Sequence, residues 1–362
     1  MRSGSGHVST GSRLRRPRSR TALPSSARTA AGTRRDCVQT AATGGSAWAS
    51  PPGRRARAQS ARTEASSSSP SRLVRSSIAI ARPSSACSRA PVKCRAPASA
   101  ATGCNAAEVE EIIAACEKHG VQFMDGVMFM HGTRLKRMRE VVDADLGRIR
   151  HIATQFSFMS DDEFQRTNIR AHGGLEPLGC LGDLGWYCLR FTLWAMNYAS
   201  PTMVTGCIHA ETQQEADAPP VPLEFSGTLT FADGASASFY CSFSAAHAQW
   251  AMVSGTGGLL KVPDFVLPFF GEQTRFSVAR SEFAQNVCRF DMHEGDISER
   301  LNEPSNNAPG SQEAGMFETF SRVVLSGNLD LHWPRISLLT QRVLDACLAS
   351  AKQSGRAVEV LS

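Results

Sequence analysis

The sequence lacks an apolar run of the length that a membrane-spanning helix needs, about 18 to 20 residues, because Gly, Ser or a charged residue interrupts every stretch. It also lacks the P-loop, G-x-S-x-G, H-E-x-x-H and EF-hand motifs. Its eleven cysteines form no Cys-x-x-Cys pair and show no zinc-ligand spacing. These absences predict a soluble protein from a reducing compartment, with buried thiols, no membrane contact and no metal site.

Acidic residues are almost missing from residues 1–103, which hold eighteen Arg and one Lys against only Asp36 and Glu64. The rest of the chain has 20 basic and 31 acidic residues, so the overall net charge of +6 describes neither part. Residues 1–103 contain a single aromatic residue, Trp48, and no helical or strand periodicity. They cannot bury enough surface to offset the entropy of ordering, and we expect them to be disordered.

This Arg-rich, Ser-rich and acid-poor composition is typical of an organelle transit peptide. Residues 74–100, VRSSIAIARPSSACSRAPVKCRAPASA, resemble a chloroplast transit peptide with a cleavage site near VKCRA, which predicts a chloroplast protein and otherwise a cytoplasmic one. A non-biological translation of sequence ahead of the true start is a second interpretation. A nucleic-acid-binding tail is a third, but neither interleaved aromatics nor a folded reader accompanies the arginines, so a nucleic-acid partner is not favoured.

Ordered structure is predicted to begin with residues 104–147, as a helix, a strand and a second helix of α/β type. Asn105 opens the first helix in a capping-box arrangement, and Gly120 ends it. The apolar residues 121–130 predict a buried strand, and the pattern of residues 133–142 predicts the next helix.

After Pro201 the apolar period changes from 3.6 to 2, which predicts a sheet. Residues 291–310 are acidic, polar and rich in Pro and Asn, which predicts a loop, and Trp333-Pro334 is predicted to separate two C-terminal helices. The predicted fold class is α/β with an α+β C-terminal domain, an open, mainly antiparallel sheet covered by helices on one face. The predicted strands are 223–231, 235–243, 249–255, 258–262 and 274–280, and the two helices are 314–325 and 337–352.

Residues 175–191, LEPLGCLGDLGWYCLRF, contain the pattern that is most informative about chemistry. Asp183 and Tyr187 are four residues apart, so a helix beginning near Gly182 places both on one face near its positive end. A phenol there is predicted to have a lowered pKa and to suit acid–base catalysis. The alternative is structural, with Asp183 capping the helix and Tyr187 packing in the core.

The segment LGCLGDLGWYC, preceded by NIRAHGGLEP and GVQFMDGVMFMHGTR, resembles the glucose-fructose oxidoreductase / inositol dehydrogenase (Gfo/Idh/MocA) family, in its plant and algal branch. The resemblance extends over residues 105–362, including the segments FSGTLTFADGASASFYCSF and WPRISLLTQRVLDACLASA. It implies NAD(P)-dependent hydride transfer on a sugar, a polyol or a trans-dihydrodiol. It also implies that Tyr187 gives or takes the proton at the substrate oxygen and that Asp183 orients the sugar or the acid.

The same resemblance implies that His131 and Arg134 face the nicotinamide and the substrate, although a surface His and an Arg capping the next helix are an equal alternative. Arg170 is a candidate for contact with an anionic or polyol substrate, against a solvated loop arginine. Members of the family also carry a glycine-rich loop and a Glu-Lys-Pro motif in a dinucleotide-binding domain. Neither is found in this sequence, which reads PASAATGC ahead of Asn105 where the tripeptide is expected.

These inferences divide the chain into a leader (1–103), a remnant of a dinucleotide-binding domain (104–147) and a substrate and oligomerisation domain (148–362). The predicted function is an oxidoreductase that is incomplete as written, with no cofactor-binding residue retained. The alternative is a non-catalytic dimerisation or sugar-binding module. An antiparallel sheet covered on one side is expected to leave an apolar face open, which predicts a homodimer through that face.

Overall fold

Asn105 starts the first helix of the structure, a computed structural model that describes residues 78–81, 102–305 and 308–360. Its side chain accepts a hydrogen bond from the Glu108 amide over 3.0 Å, as the capping pattern predicts. The described residues fall in the unit Pro70–Ser362. Most of the predicted leader lies outside them, and Ile78–Ala81 within it is a strand.

The described residues contain thirteen strands and six α-helices. The strands are β1 (Ile78–Ala81), β2 (Gln122–Asp125), β3 (Ile149–Met159), β4 (Met203–Thr212), β5 (Val221–Thr230), β6 (Ser236–Ser242), β7 (Ser244–Gly255), β8 (Leu259–Val262), β9 (Thr274–Ala279), β10 (Glu282–Asn286), β11 (Arg289–His293), β12 (Asp296–Leu301) and β13 (Val358–Glu359). The helices are α1 (Ala106–Lys118), α2 (Thr133–Ala144), α3 (Asp162–Thr167), α4 (Trp186–Ala195), α5 (Gln312–Ser326) and α6 (His332–Lys352).

Nine strands form one sheet in the order β12-β9-β8-β7-β3-β6-β5-β4-β13. Neighbouring strands are antiparallel except β3 and β6, which are parallel. The fold class, a mixed α/β chain with a large and mostly antiparallel sheet, is confirmed. Strands β5 and β6 form the predicted hairpin, whose Asp233 side chain accepts from the Ala235 amide at 3.0 Å.

Three predictions about elements are wrong. The segment 291–310 contains the end of β11 and all of β12, and the predicted separation at Trp333-Pro334 lies inside the first turn of α6. Proline is tolerated there because the first helical amides have no partner within the helix. The buried strand predicted for residues 121–130 ends at Asp125 and gives way to a 3₁₀ turn, Met128–His131.

One face of the sheet packs against α4 and α6 and forms the main core. Alternate residues of β3 and β6 supply it, among them Ile152, Phe156 and Phe239, each buried. Complete burial of a side chain of this size contributes roughly 1.5 to 3 kcal/mol. This layer holds the start of α4 firmly against the sheet.

The other face of the sheet is open, but it is not the apolar surface that was predicted. On β3 to β6 its residues are mostly Ser, Thr and His joined by hydrogen bonds, such as His151 Nδ1 to Ser236 Oγ at 2.9 Å and His209 Nε2 to Ser226 Oγ at 2.8 Å. Apolar side chains are found instead towards β7, where Met252 is exposed. Hydroxyl and imidazole groups tolerate solvent without a covering layer.

Residues 104–147 pack beside the nine-stranded sheet without adding a strand to it. β2 pairs with β1 in antiparallel register, so its backbone groups are satisfied there. Helix α1 is tied to α6, since the Ala106 amide donates to the Asp345 carboxylate at 2.7 Å. Within the described ranges, no helix is long and apolar enough to cross a membrane.

Candidate active site

Glycine at two positions, Gly179 and Gly182, lets the chain turn tightly into α4. The segment Leu181–Gly185 is a π-helical turn, an arrangement that is frequent at functional sites. A Cβ at Gly182 would lie 2.5 Å from a carboxylate oxygen of Glu176, and a Cβ at Gly179, whose φ is +50°, would collide with the Pro222 carbonyl oxygen. Bulkier residues would push this turn off the sheet, so the glycines fix where Asp183 lies.

Arg170 and Asp183 are brought together by the structure. The Arg170 Nε donates to the Asp183 Oδ1 at 2.9 Å, and the side chains are 37% and 12% exposed, respectively. The charge of Asp183, partly screened from water, raises the pKa of Arg170. The pair therefore lies at the edge between core and solvent, where a small molecule can reach it.

Tyr187 lies one turn after Asp183 against an aromatic wall. Its ring centroid is 5.7 Å from that of Phe156 and 6.3 Å from that of Phe129. Burial raises the pKa of the phenol above its ordinary value, and the charge of Asp183 raises it further. The expectation of a lowered pKa is wrong, because loss of hydration in the aromatic wall outweighs the helix N-terminus. Tyr187 is a protonated donor at neutral pH.

Glu176 is a third charged group at this site, and sequence reasoning missed it. It is 3% exposed, its carboxylate lies against Gly182, and its charge adds to the stabilisation of the Arg170 cation. The sequence signal for Glu176 was its position between a pair of glycines and an apolar segment. Arg170 is thus a cation facing two carboxylates, and the group can hold hydroxyls by both donating and accepting.

His131 lies in the Met128–His131 turn, whose Phe129 touches the Tyr187 ring. The His131 side chain itself is buried and stacks on Trp333, with ring centroids 4.7 Å apart. Burial lowers its pKa to about 4, so the ring is neutral at pH 7. Its Nε2 has no hydrogen-bond partner in the part of the chain that the structure describes. No ring contact or hydrogen bond between described residues joins it to Tyr187.

Arg134 is placed in a different environment from the Tyr187 group. It is 3% exposed, and its guanidinium donates to the Asp264 carboxylate at 2.6 Å and to the Asp264 carbonyl at 2.8 Å. These partners take up most of its directed donors. The structure pairs Arg134 within the core instead of presenting it beside Arg170.

A buried ion pair between Asp125 and Arg190 links β2 to α4, three residues after Tyr187. Both side chains are fully buried; Ser337 donates to Asp125 at 2.6 Å, and Arg190 donates to Thr340 at 2.9 Å. The sequence signal was a lone charge inside each of two apolar segments, since buried charges are normally paired. This pair fixes the position of α4 relative to the turn that carries Phe129.

The described residues do not fit a dinucleotide. A pyrophosphate in such folds is bound at a glycine-rich turn leading from a strand to a helix N-terminus. The helix that follows β2 is α2, and its first turn is already occupied by Glu303, whose carboxylate accepts from the Arg134 amide at 2.7 Å and from the Thr133 hydroxyl at 2.8 Å. A second anion there would meet a buried carboxylate. Nor do any three His, Cys, Asp or Glu side chains in the described ranges form a metal-binding group.

The segment that carries Arg170, Asp183 and Tyr187 matches a family of known proteins. Residues 135–261 match the family model of the GFO/IDH/MocA C-terminal domain. The matched segment includes Arg170, Asp183 and Tyr187, and it begins after His131 and Arg134. Among curated proteins, the chain is similar to the trans-1,2-dihydrobenzene-1,2-diol dehydrogenase of Mus musculus, with 31% identity over 169 residues, 46% of this chain and 47% of that protein. The chain spans about half the length of the curated relatives it matches.

Solved structures share the fold. The aldose-aldose oxidoreductase of Caulobacter crescentus, crystallised with glycerol, aligns with a TM-score of 0.54 and 20% identity, over 71% of this chain and 70% of that one. A 3-ketoreductase of Actinomadura kijaniata, crystallised with NADP and TDP-benzene, aligns with a TM-score of 0.55 and 20% identity, over 69% and 68%. These likenesses establish the architecture around the site.

Proposed function

We propose that this chain is an oxidoreductase of the Gfo/Idh/MocA type and provides its substrate half-site. The observation that carries the proposal is the group of Tyr187, Asp183 and Arg170, assembled on a π-helical turn inside the segment that matches the family. Tyr187 is a protonated phenol next to a charged pair at the edge of the core. That combination suits proton exchange with the oxygen of an alcohol or carbonyl.

Tyr187 gives its proton to a carbonyl oxygen during reduction, and in the reverse oxidation its phenolate takes the proton of the alcohol. Its raised pKa favours the donor role at neutral pH. Asp183 and Arg170 hold neighbouring hydroxyls, because a carboxylate accepts from them and a guanidinium donates to them. General acid–base catalysis of this kind contributes roughly two to four orders of magnitude in rate.

The proposed substrate is a sugar, a polyol or a trans-dihydrodiol. A ring with adjacent oxygens suits a site with Phe129 and Phe156 at one side and the Arg170–Asp183 pair at the other. The relatives named above act on a dihydrobenzene diol and on aldoses, as their names state. Aromatic side chains next to charged donors are compatible with either class.

NAD or NADP is the proposed hydride carrier by family, but the described residues do not hold its pyrophosphate. The chain by itself is therefore expected to bind neither NADH nor NADPH in the micromolar range. Fluorescence titration of the full chain with each cofactor measures this directly. Saturable binding at micromolar concentration would contradict the interpretation that Glu303 occupies the first turn of α2 and excludes a pyrophosphate there.

Fusion of a relative's dinucleotide-binding domain ahead of Asn105 tests the catalytic assignment. We expect the fused protein to turn over a dihydrodiol or an aldose. In it, Tyr187→Phe should lower kcat by about 10² to 10⁴, whereas Arg170→Ala should mainly raise KM. A Tyr198→Phe variant is the matched control, because that tyrosine lies outside the group. Equal losses in Tyr187→Phe and Tyr198→Phe would exclude Tyr187 as the proton donor.

A second candidate function is a non-catalytic dimerisation or sugar-binding module, and the occupied α2 terminus favours it. In that case the Tyr187 group still binds a sugar or diol, but a fused dinucleotide domain produces no turnover. Calorimetric titration with a diol or a polyol, done on the same fused protein as the kinetics, separates the two. Binding without turnover supports the module.

We further propose that the chain forms a homodimer through the open face of the sheet and is directed to the chloroplast by its leader. The support for the dimer is the apolar area around Met252 on a face that no helix covers among the described residues. The support for chloroplast targeting is the Arg-rich, Ser-rich and acid-poor composition of the leader. Sedimentation of the full chain tests the first, and a fluorescent fusion of residues 1–103 in algal or plant cells tests the second.

A further inference from the structure

The open face of the sheet contains a depression near its β12 end, on the side away from Tyr187. The depression has a volume of about 370 Å³ and lies over β7, β8, β9 and β12. That volume is typical of small-molecule pockets. Tyr187 packs on Phe156 at the covered face, whereas Trp250 and Met252 line the depression from the open face. A ligand in the depression therefore contacts no residue of the Tyr187 group.

Two arginines lie directly opposite each other at the edge of this depression. Arg275 of β9 lines it, and Arg300 of β12 is its cross-strand partner, so both side chains are on the open face. Both are exposed, and neither has a salt-bridge partner in the ranges that the structure describes. Lys261, which also lines the depression, is already paired with Asp296 at 3.0 Å. Like charges placed opposite each other are unfavourable, and an anion between the two guanidinium groups offsets their repulsion.

Two hydroxyl groups extend this row of donors. Ser277 and Ser298 are the next cross-strand pair on the open face, and both line the depression. Neither hydroxyl has a hydrogen-bond partner among the described residues. Arginine suits phosphate, because its planar fork donates to two oxygens at once. A phosphate dianion also matches the two positive charges, whereas a carboxylate carries only one negative charge.

An apolar wall lies beside these donors. Trp250, Met252 and Pro263 line it, and Met252 is 38% exposed. Trp250 is only partly buried, whereas the other tryptophans among the described residues are buried. An indole and a thioether both pack well against a flat ring. The depression therefore combines a surface for a planar apolar group with donors for an anion.

We propose that this depression is a second small-molecule site, which binds a phosphomonoester with a planar apolar body. The phosphate accepts hydrogen bonds from Arg275, Arg300 and the two serine hydroxyls, and the apolar body lies against Trp250. The site lies on the face of the sheet opposite the Tyr187 group. The inference does not depend on the proposed oxidoreductase function.

Titration of the full chain with phenyl phosphate tests the site. Binding should change the emission of Trp250, and comparison with Trp250→Phe isolates that signal. Arg275→Gln and Arg300→Gln should each weaken binding by about ten-fold or more, as expected for loss of a charge-assisted hydrogen bond. Both variants remove a like-charge contact, so they are expected to fold. Arg322→Gln is the matched control, because Arg322 is exposed on α5 and has no salt-bridge partner among the described residues.

A further variant separates this site from the Tyr187 group. Arg170→Ala should leave the binding of phenyl phosphate unchanged. A loss as large as that of Arg275→Gln would place the ligand at the Arg170–Asp183 pair and overturn the proposal. Equal affinity in the wild type, Arg275→Gln and Arg322→Gln would also overturn it, as would no binding at all.

Two other probes test the chemical class of the ligand. Inorganic phosphate lacks the ring and benzoate lacks the second charge, so each should bind about ten-fold more weakly than phenyl phosphate. Equal affinity for either probe would overturn the assignment of a phosphomonoester with an apolar body. The titration is repeated at low protein concentration, where a homodimer covering the open face dissociates and cannot hide the site. None of these outcomes affects the kinetic test of Tyr187.

Discussion

Two ion pairs on either side of Tyr187 differ in almost every physical respect. Asp125 and Arg190 are fully buried and are held by two hydroxyls from α6. Arg170 and Asp183 lie at the edge of the core, with the arginine 37% exposed. The first pair can only stabilise, because no ligand reaches it. The second contributes little to stability and lies where a ligand can contact it.

The largest effect is expected from breaking the buried pair. Arg190→Met leaves the Asp125 carboxylate buried without its partner, so the free energy of unfolding should fall by about 3 to 5 kcal/mol. Replacing both residues with Arg190→Met/Asp125→Leu removes the orphaned charge and should recover much of the loss. Urea unfolding of the wild type and both variants measures this. A single variant as stable as the wild type would show that the two pairs do not differ as described.

A smaller loss is expected on acidification, through His131. Its pKa falls from 6.5 to about 4 on folding, so the unfolded chain binds the proton more tightly. Stability is therefore complete above pH 6.5 and is lost as the pH falls towards 4, by roughly 3 kcal/mol in total. His131→Phe should remove this dependence, whereas the exposed His119→Gln should keep it. Unfolding free energies between pH 4 and 7 give the comparison.

Crowding at the π-helical turn should cost somewhat less. Gly182→Ala places a methyl group against Glu176 and Leu178, and relief of that contact is expected to cost roughly 1 to 3 kcal/mol. Gly327→Ala is the matched control, because its added Cβ meets no atom within 4 Å and only its φ of +75° is strained. Thermal unfolding of both variants separates contact from backbone strain. A Gly182→Ala variant that unfolds at the same temperature as the wild type would mean that the turn has room to move.

The smallest effect on stability is expected at the exposed pair. Arg170→Ala should change the unfolding free energy by no more than about 1 kcal/mol, because solvent screens the interaction. The same change should weaken binding of a diol in calorimetry. A loss of stability as large as that of Arg190→Met would make Arg170 a structural residue. The contrast between the two pairs would then disappear.

Local patterns predicted much of the fold correctly. The Asn105 cap, the apolar stripe of α2 and the turn between β5 and β6 each depend on residues close in sequence. Strand β12 was not recognised because its sequence, DISERL, is charged, as edge strands often are. Strand β4 was missed as well, since Gly206 interrupts its alternation.

At the site, sequence spacing identified Tyr187 and Asp183, but tertiary contacts decided their properties. The pKa of Tyr187 depends on Phe129 and Phe156, residues that the chain brings in from other elements. Arg134 has its partner, Asp264, 130 residues away. Pairings at such separations are set by packing of the whole fold, and no local pattern encodes them.

The single parallel pair in the sheet determines the order in which the sheet can assemble. Strands β6 and β7 are separated only by Phe243, yet they lie on opposite sides of β3 and do not pair with each other. A β6–β7 hairpin formed early would have to open again to admit β3, a segment more than 70 residues upstream. Closing a loop of that length is entropically costly and slows folding. Strand β3 therefore joins two halves of the sheet that are adjacent in sequence but cannot associate without it.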